Sequence, residues 1–398
     1  MKARGLASES GAQLVDVPGD GPYARALMRA AGTLSRMVGE ARHPGQFDRF
    51  VADVQAQVEG RLARWLDARA AAARALGPEV AFVADAVRQL VLRGGKRMRA
   101  VLLSASYVAC GGEDAGQVVA AGAALELLQG YLLIHDDWMD GDEQRRGGPS
   151  VPAVMRARFG AGGAQHDAAD AASILAGDLG ASWALMSMLE LELPAPRVLA
   201  AARELARVEE QVVQGQVVDV CEGAADGVAG ARDGVDVEIA YALKTASYTV
   251  RGPVVMGALL AGADEARLAP LVAFAEPLGV AFQLRDDLLG AFGDPRATGK
   301  PTGSDLRKGK RTVLVREASH DAAASRSIAR VFGRRDAGDA EVAAAVASLE
   351  ACGARERVEA RIARLALESR EALARARLTP LGGELLAQAV AALTERDR

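Results

Sequence analysis

The run Asp136-Asp137-Trp138-Met139-Asp140, with Asp142 and Glu143 directly after it, concentrates more carboxylates than any nearby stretch of the chain. Asp136 and Asp140 are four residues apart and share one face of a helix. Two carboxylates about 5 Å apart repel by roughly 3 kcal/mol at an effective dielectric near 20. At a helix C-terminus the backbone dipole adds to that penalty. A solvated helix end tolerates the arrangement. A hard divalent cation removes the repulsion, and oxygen-only donors without His or Cys suit Mg²⁺. A second run, Phe282-Gln283-Leu284-Arg285-Asp286-Asp287, lies near the end of another apolar segment, with Asp294 beyond it. Two such ends side by side would face each other across a cavity. Mg²⁺ ions between them could hold a diphosphate, because magnesium is commonly shared between one or two carboxylates and substrate phosphates.

Basic segments accompany both acidic runs. Arg93-Gly94-Gly95-Lys96-Arg97-Met98-Arg99 opens a predicted helix, where backbone N–H groups and cationic side chains converge on an anion. It is not a P-loop, since Arg97 stands where Ser or Thr should follow the Lys. Arg145-Arg146 follows the first acidic run, and Lys244-Thr245 falls within a predicted helix. Lys300, Lys308, Lys310 and Arg311 follow the second run. Any one of these is ordinarily a solvated face; acidic then basic, twice in order, is much less ordinary.

The elements that must position these residues are helices. Phe50, Val54, Val58, Leu62, Trp65 and Leu66 recur at three- and four-residue steps. Similar patterning predicts helices near 79–92, 97–109, 115–140, 151–159, 168–190, 197–221, 236–262, 267–290, 312–332, 340–352, 355–375 and 381–395. Loops carrying Gly or Pro separate them. No alternating apolar run is long enough for a sheet. Residues 1–45, rich in Gly, Ala, Arg and Ser, read as a loosely ordered N-terminal extension, and 46–398 as a single helical domain.

Composition narrows the function. Of 398 residues, 50% are hydrophobic, which excludes a wholly disordered chain. A net charge of -4 disfavours a nucleic-acid partner, and 4% aromatics disfavours base-stacking platforms. Cys110, Cys221 and Cys352 are scattered, which fits a reducing compartment, the cytoplasm, and no thiolate metal site. No secretory leader is evident. The apolar run Val118 to Ile134 is interrupted by Glu126 and Gln129 and falls short of the roughly 20 residues a spanning helix needs. It reads as a buried helix.

Taken in order, these motifs resemble the polyprenyl synthetase family, the trans-isoprenyl diphosphate synthases. The resemblance covers roughly 50–395. It rests on Gly-Gly-Lys96-Arg97-Met-Arg99, His135-Asp-Asp-Trp-Met-Asp140, Arg145-Arg146-Gly-Gly-Pro, Leu175-Ala-Gly-Asp178, Gly215-Gln216-Val-Val-Asp219, Lys244-Thr245, Phe282-Gln283-Leu-Arg-Asp-Asp287 and Gly299-Lys300-Pro-Thr-Gly-Ser-Asp305 through Thr312. It implies an all-α bundle of about ten or more helices around a deep central cavity, a homodimer, and Mg²⁺-dependent condensation of isopentenyl diphosphate with an allylic diphosphate, with three ions once substrate is bound. Asp136, Asp140 and Asp286 would bind the metal, assisted by Asp137 and Asp287. Arg145, Lys244 and Lys300 would hold the allylic diphosphate. Lys96, Arg99 and Arg146 would hold that of isopentenyl diphosphate, joined by Gln129 where many relatives carry a His. Thr245 and Gln283 would turn oxygens toward the allylic cation.

The chain also departs from the family. Gly290 stands where the second acidic motif usually has a third Asp, which leaves either Asp294 as a water-mediated substitute or the third carboxylate dispensable. Tyr131, Leu132 and Leu128 lie where bulk sets the depth available to the growing tail, and a Tyr there predicts a C15 to C20 product. His135 reads as a packing histidine, Met186 and Met188 as core fillers, and Cys221 as a buried thiol. Asp178 and Asp219 read as hydrogen-bonding groups ahead of metal ligands. Two rival functions are a class I terpene cyclase, which needs no site at Lys96 and Arg99, and a non-catalytic subunit regulating another synthase.

Overall fold

The computed structural model describes residues 45–160, 162–223, 237–294 and 302–395. Lys300, and the expected extension apart from Gly45, lie outside the described residues. Residues Phe47–Arg398 form one compact unit.

The chain opens with α1 (Gln46–Arg74), which buries Phe47, Val54, Val58, Leu62, Trp65 and Leu66 along one face. Then come α2 (Pro78–Leu92), α3 (Met98–Ala109) and α4 (Ala115–Asp140). Asp114 caps α4 by accepting from the Gln117 N–H at 3.1 Å. Gly141, at φ 65, stops it in the left-handed conformation open to glycine. Asp140 is therefore the last helical residue, and the acidic run crowds the helix end. By length and composition α4 and α6 (Ala164–Leu189) could each cross a membrane; the most apolar window of α4 is 83% buried inside the protein and that of α6 50%. The two helices pack along each other, with α4 in the core and the outer face of α6 exposing Ile174, Leu175, Leu185, Met186 and Leu189. Met186 is thus not a core filler, whereas Met188 is fully buried.

Between them lie a two-residue antiparallel ladder, β1 (Gln144–Arg145) and β2 (Gly148–Pro149), and α5 (Val151–Phe159). Beyond α7 (Ala195–Gly223) the chain resumes with α8 (Val237–Ala240), a π-helical stretch Tyr241–Arg251, and α9 (Gly252–Ala261). The expected helix over 236–262 thus changes its winding in the middle. Pro253, at the start of α9, has no N–H to donate and crowds the carbonyl four residues back; a wider preceding turn relieves both. Next is α10 (Glu265–Phe292), which tolerates Pro270 and Pro277 internally.

The C-terminal portion holds α11 (Ser304–Arg307), α12 (Val313–Ala318), α13 (Ala322–Ala329), α14 (Asp339–Ala351), α15 (Ala354–Leu373) and α16 (Pro380–Thr394). The single helix expected over 312–332 is split. Asp321 accepts from the N–H groups of Ala323 and Ala324 at 2.9 and 2.8 Å, so its carboxylate starts a new helix rather than continuing the old one. A second apolar cluster, including Leu284, Leu288, Val313, Leu314, Leu349 and Val358, binds the inner end of α10 to these helices.

Candidate active site

The end of α4 is ringed by lysines. Lys244, in the π-helical stretch, donates to Asp219 on α7 at 2.6 Å and lies 3.5 Å from Asp136. Gly215 lets α7 approach this stretch: a Cβ there would lie 2.7 Å from the Lys244 backbone nitrogen. Lys308 donates to Asp142 at 2.8 Å and lies 3.5 Å from Asp140. Burial works to raise the Asp136 carboxyl, but Lys244, Lys310 and Arg145 outweigh it and hold the group below its ordinary range. Burial likewise opposes the charge on Lys310, yet the fields of Asp305, Asp136, Asp140 and Asp219 keep that ammonium firmly protonated. One cation thus answers to carboxylates of α4, α7 and the short helix α11.

Adjacent aspartates divide between two tasks. Asp137 is completely buried and accepts from Arg145 Nε at 2.7 Å. Arg145 also reaches Asp142 at 3.3 Å and Asp136 at 3.8 Å, so it braces the acidic end here. On α10, Asp287 is buried and accepts from the Tyr241 hydroxyl and, at 2.8 Å, from Gln283 Nε2. Tyr241 in turn accepts from the Val313 N–H at 3.0 Å. Gln283 is therefore engaged with its own helix. Asp286, on the other face, and Gly290, one turn further, look away from this network. The carboxylate of Asp305 fills the space beside Gly290: an ideal Cβ there would lie 2.5 Å from Asp305 Oδ2.

A second, cationic site lies where α3 begins. Arg97 is buried against Glu126 at 2.7 Å and donates to the Val91 carbonyl, so it is a structural pillar. Arg99 donates to Thr249 at 3.0 Å and stacks over the Tyr248 ring at 4.3 Å. Its Nε is buried without a hydrogen-bond partner, as is Oε1 of Gln129. Arg146 is pushed down to about 10 by burial, opposed by the Glu126 carboxylate and reinforced by Arg97, Arg99 and Arg145. Such crowding is relieved by a bound anion. Arg97 (φ 49) and Arg146 (φ 51) are the two non-glycine residues at positive φ among the described residues, strain of a kind that collects at functional sites. Lys96 is exposed beside them.

Below Asp136 opens a largely apolar cavity of about 480 Å³, lined by Tyr131, Leu132, Met139, Val217, Lys244 and Thr245 among others. Tyr131 and Leu132 reach it, whereas Leu128 is buried in the core behind. His135 packs edge-on to the Tyr131 ring at 4.9 Å and shares a hydrogen bond of 3.0 Å with the Ile174 carbonyl, so it packs rather than ligates. Cys221 is not the buried thiol expected: it is exposed and lines the cavity. The sequence names Lys308 and Lys310 in its basic segment without giving either a role, and it does not single out Tyr241. The first two lay within the quoted motif after Lys300; Tyr241 carried no signal, being one tyrosine in a helical pattern.

Residues 80–349 match the Polyprenyl synthetase family. The chain is 34% identical over 264 residues to the (2E,6E)-farnesyl diphosphate synthase of Mycobacterium bovis, covering 65% of this chain and 67% of that protein. To the geranylgeranyl diphosphate synthase of Mycobacterium tuberculosis it is 34% identical over 283 residues, 68% of this chain and 75% of that one. The fold is similar to a geranylgeranyl pyrophosphate synthase from Corynebacterium glutamicum, crystallised with isoprenyl diphosphate and magnesium, at a TM-score of 0.78 and 31% identity over 87% of this chain and 99% of that one. By the family match and by these relatives, the chain belongs to the polyprenyl synthetase family, as a prenyltransferase.

Proposed function

We propose that the protein condenses isopentenyl diphosphate with an allylic diphosphate, head to tail, to a short all-trans prenyl diphosphate of C15 to C20. The observation that carries this reading is the pair of lysines converging on the end of α4 from different segments: Lys244 lies 3.5 Å from Asp136 and Lys308 lies 3.5 Å from Asp140. That space attracts cations from two sides and adjoins an apolar cavity. The donor set, all carboxylate oxygen, fits Mg²⁺. Asp136, Asp140 and Asp286 would hold it, with three ions once diphosphate is present. Bound there, it supplies charge neutralisation for the departing pyrophosphate.

The chain's own residues do the rest. Lys244, 3.5 Å from Asp136 at the cavity wall, holds the allylic diphosphate and stabilises its charge as the C–O bond breaks. Lys300 and Arg145 belong to the same anion-binding set; Arg145 would have to exchange a carboxylate partner for phosphate. Arg99, Arg146 and Lys96 hold the second diphosphate so that its double bond faces the allylic carbon, which supplies proximity rather than a nucleophile. Asp137 and Asp287, each fixed inside its helix, position Asp136 and Asp286. The Thr245 hydroxyl lines the cavity near the developing allylic charge, while Gln283 would have to leave Asp287 to do so. Tyr131 and Leu132 set the depth for the tail.

A second copy of the chain would cover the apolar outer face of α6, giving a homodimer. The free cysteines fit a cytoplasmic setting. The test is mass analysis of products from labelled isopentenyl diphosphate with each allylic starter, with Mg²⁺ and with excess chelator. C15 or C20 diphosphates that vanish with chelator are the expected result. A hydrocarbon formed from farnesyl diphosphate alone would overturn it in favour of a cyclase.

A further inference from the structure

The two acidic helix ends are unequally equipped. The end of α4 brings Asp136 and Asp140 to one face, with Asp142 just beyond. On α10 the adjacent pair is divided: Asp287 is buried under Tyr241 and Gln283, which leaves Asp286 as the helix's own carboxylate on the outer face. One turn on, Gly290 has no side chain to add. Magnesium is commonly held by one or two carboxylates with substrate phosphates, so this end has room for a second carboxylate that α10 itself does not supply.

The missing side chain is replaced from elsewhere. An ideal Cβ on Gly290 would lie 2.5 Å from Oδ2 and 3.2 Å from Cγ of Asp305, closer than real Cβ atoms approach an oxygen, so the Asp305 carboxylate occupies the volume a side chain would take. The approach is held by the backbone. The Gly303 N–H donates to the Gly290 carbonyl at 3.2 Å, and the Lys310 N–H to the Asp305 carbonyl at 2.9 Å. Asp305 is only partly buried, so its carboxylate keeps a route to the site. It also acts on the Lys310 ammonium together with Asp136, Asp140 and Asp219, which sets it on the same cation-attracting space as α4.

We propose that Asp305 completes the divalent-cation site of α10 as a direct ligand, entering through the gap at Gly290. This rests on the prenyl-transfer reading above. Any substituent at position 290 would expel it, so the glycine and the α11 aspartate form one functional pair.

Binding, rather than turnover, tests this. Mn²⁺ replaces Mg²⁺ as a spectroscopic probe and inorganic pyrophosphate replaces substrate; bound Mn²⁺ is counted by electron paramagnetic resonance. The parent protein is expected to take up Mn²⁺ only with pyrophosphate. D305A should weaken that uptake by about tenfold or more, and G290D in the D305A background, where the space is free, should restore it. D305N, nearly isosteric, should weaken uptake at an unchanged melting temperature, separating ligation from folding. Unaltered Mn²⁺ uptake in D305N and D305A, or no restoration by G290D at equal melting temperature, would overturn the assignment of Asp305 alone. No pyrophosphate-dependent uptake by the parent would overturn the prenyl-transfer reading as well.

Discussion

The ends of α4 and α10 solve one problem with different partners. Each presents neighbouring aspartates about 100° apart around the helix, so one faces the core and the other outward. In α4 the inward residue, Asp137, meets the guanidinium of Arg145. In α10 the inward residue, Asp287, meets only the neutral donors Tyr241 and Gln283 among its hydrogen-bond partners. The consequence is electrostatic. Burial raises both carboxyls, but Arg145 limits Asp137 to about 6 whereas Asp287 rises to about 8. At neutral pH, then, the first is a buried anion with a counter-ion and the second a buried acid sharing a proton in a hydrogen-bonded chain. Inward aspartates act as anchors whose charge depends on their partner; outward ones supply the negative field.

The largest effect should come from the outward face. Asp136→Ala removes a carboxylate on which Lys244, Lys310 and Arg145 all act. Turnover of isopentenyl and allylic diphosphates should fall by about 10³-fold or more, the scale of a lost transition-state charge contact. A variant within tenfold of the parent would remove Asp136 from the metal assignment. Melting temperature should fall modestly, since the cations around Asp136 lose a carboxylate they hold in its charged form.

Inward substitutions sharpen the contrast. Asp137→Asn strips Arg145 of its buried counter-ion and should destabilise the fold by about 2–3 kcal/mol in denaturant unfolding. Asp287→Asn imitates an acid already protonated at neutral pH and should cost less than about 1 kcal/mol. Equal losses would show that both positions carry charge. Tyr241→Phe leaves the Val313 N–H and Asp287 without their shared hydroxyl, and should cost about 1–3 kcal/mol.

How much of this is legible in the residues alone depends on the distance over which each signal acts. The helices follow from apolar spacing, and the terminus of α4 from Gly141 after Asp140, because those signals are local. Asp136, Asp140, Lys244 and the pair Arg99 and Arg146 could be named because each lies in a short motif with a chemical reason. The division of labour inside Asp136-Asp137 and Asp286-Asp287 could not: which neighbour turns inward depends on Arg145 and Tyr241, the latter 46 residues from its partner. Likewise Gly290 looks like a lost ligand until α11, which bears Asp305, is folded against it. Cys221 seemed a core thiol because composition cannot tell a helix face lining a cavity from one facing a neighbour.

A third carboxylate extends the comparison and gives its smallest test. Glu238 on α8 accepts from two guanidinia, Arg361 Nη1 at 2.6 Å and Arg316 at 2.7 Å. The Arg361 hydrogen bond, opposed in part by burial and reinforced by Arg316, brings its pKa down to about 2. Among the hydrogen bonds described, Glu238, Asp137 and Asp287 thus form a series of falling cationic donation, running from about 2 through 6 to about 8. Because the folded value at Glu238 is depressed, the folded state binds fewer protons than the unfolded chain between about pH 4.5 and 2. The stabilisation is fully present above that window and is lost as pH falls through it. The group is partly exposed, so screening limits the effect to about 1 kcal/mol. Glu238→Gln should flatten this part of the stability-against-pH curve in urea unfolding, while leaving the curve at pH 6 to 8, where Asp137 and Asp287 titrate, unchanged in shape. A changed slope in the upper window instead would mean that the two helix ends are coupled to α8, and that the series is not three independent pairings.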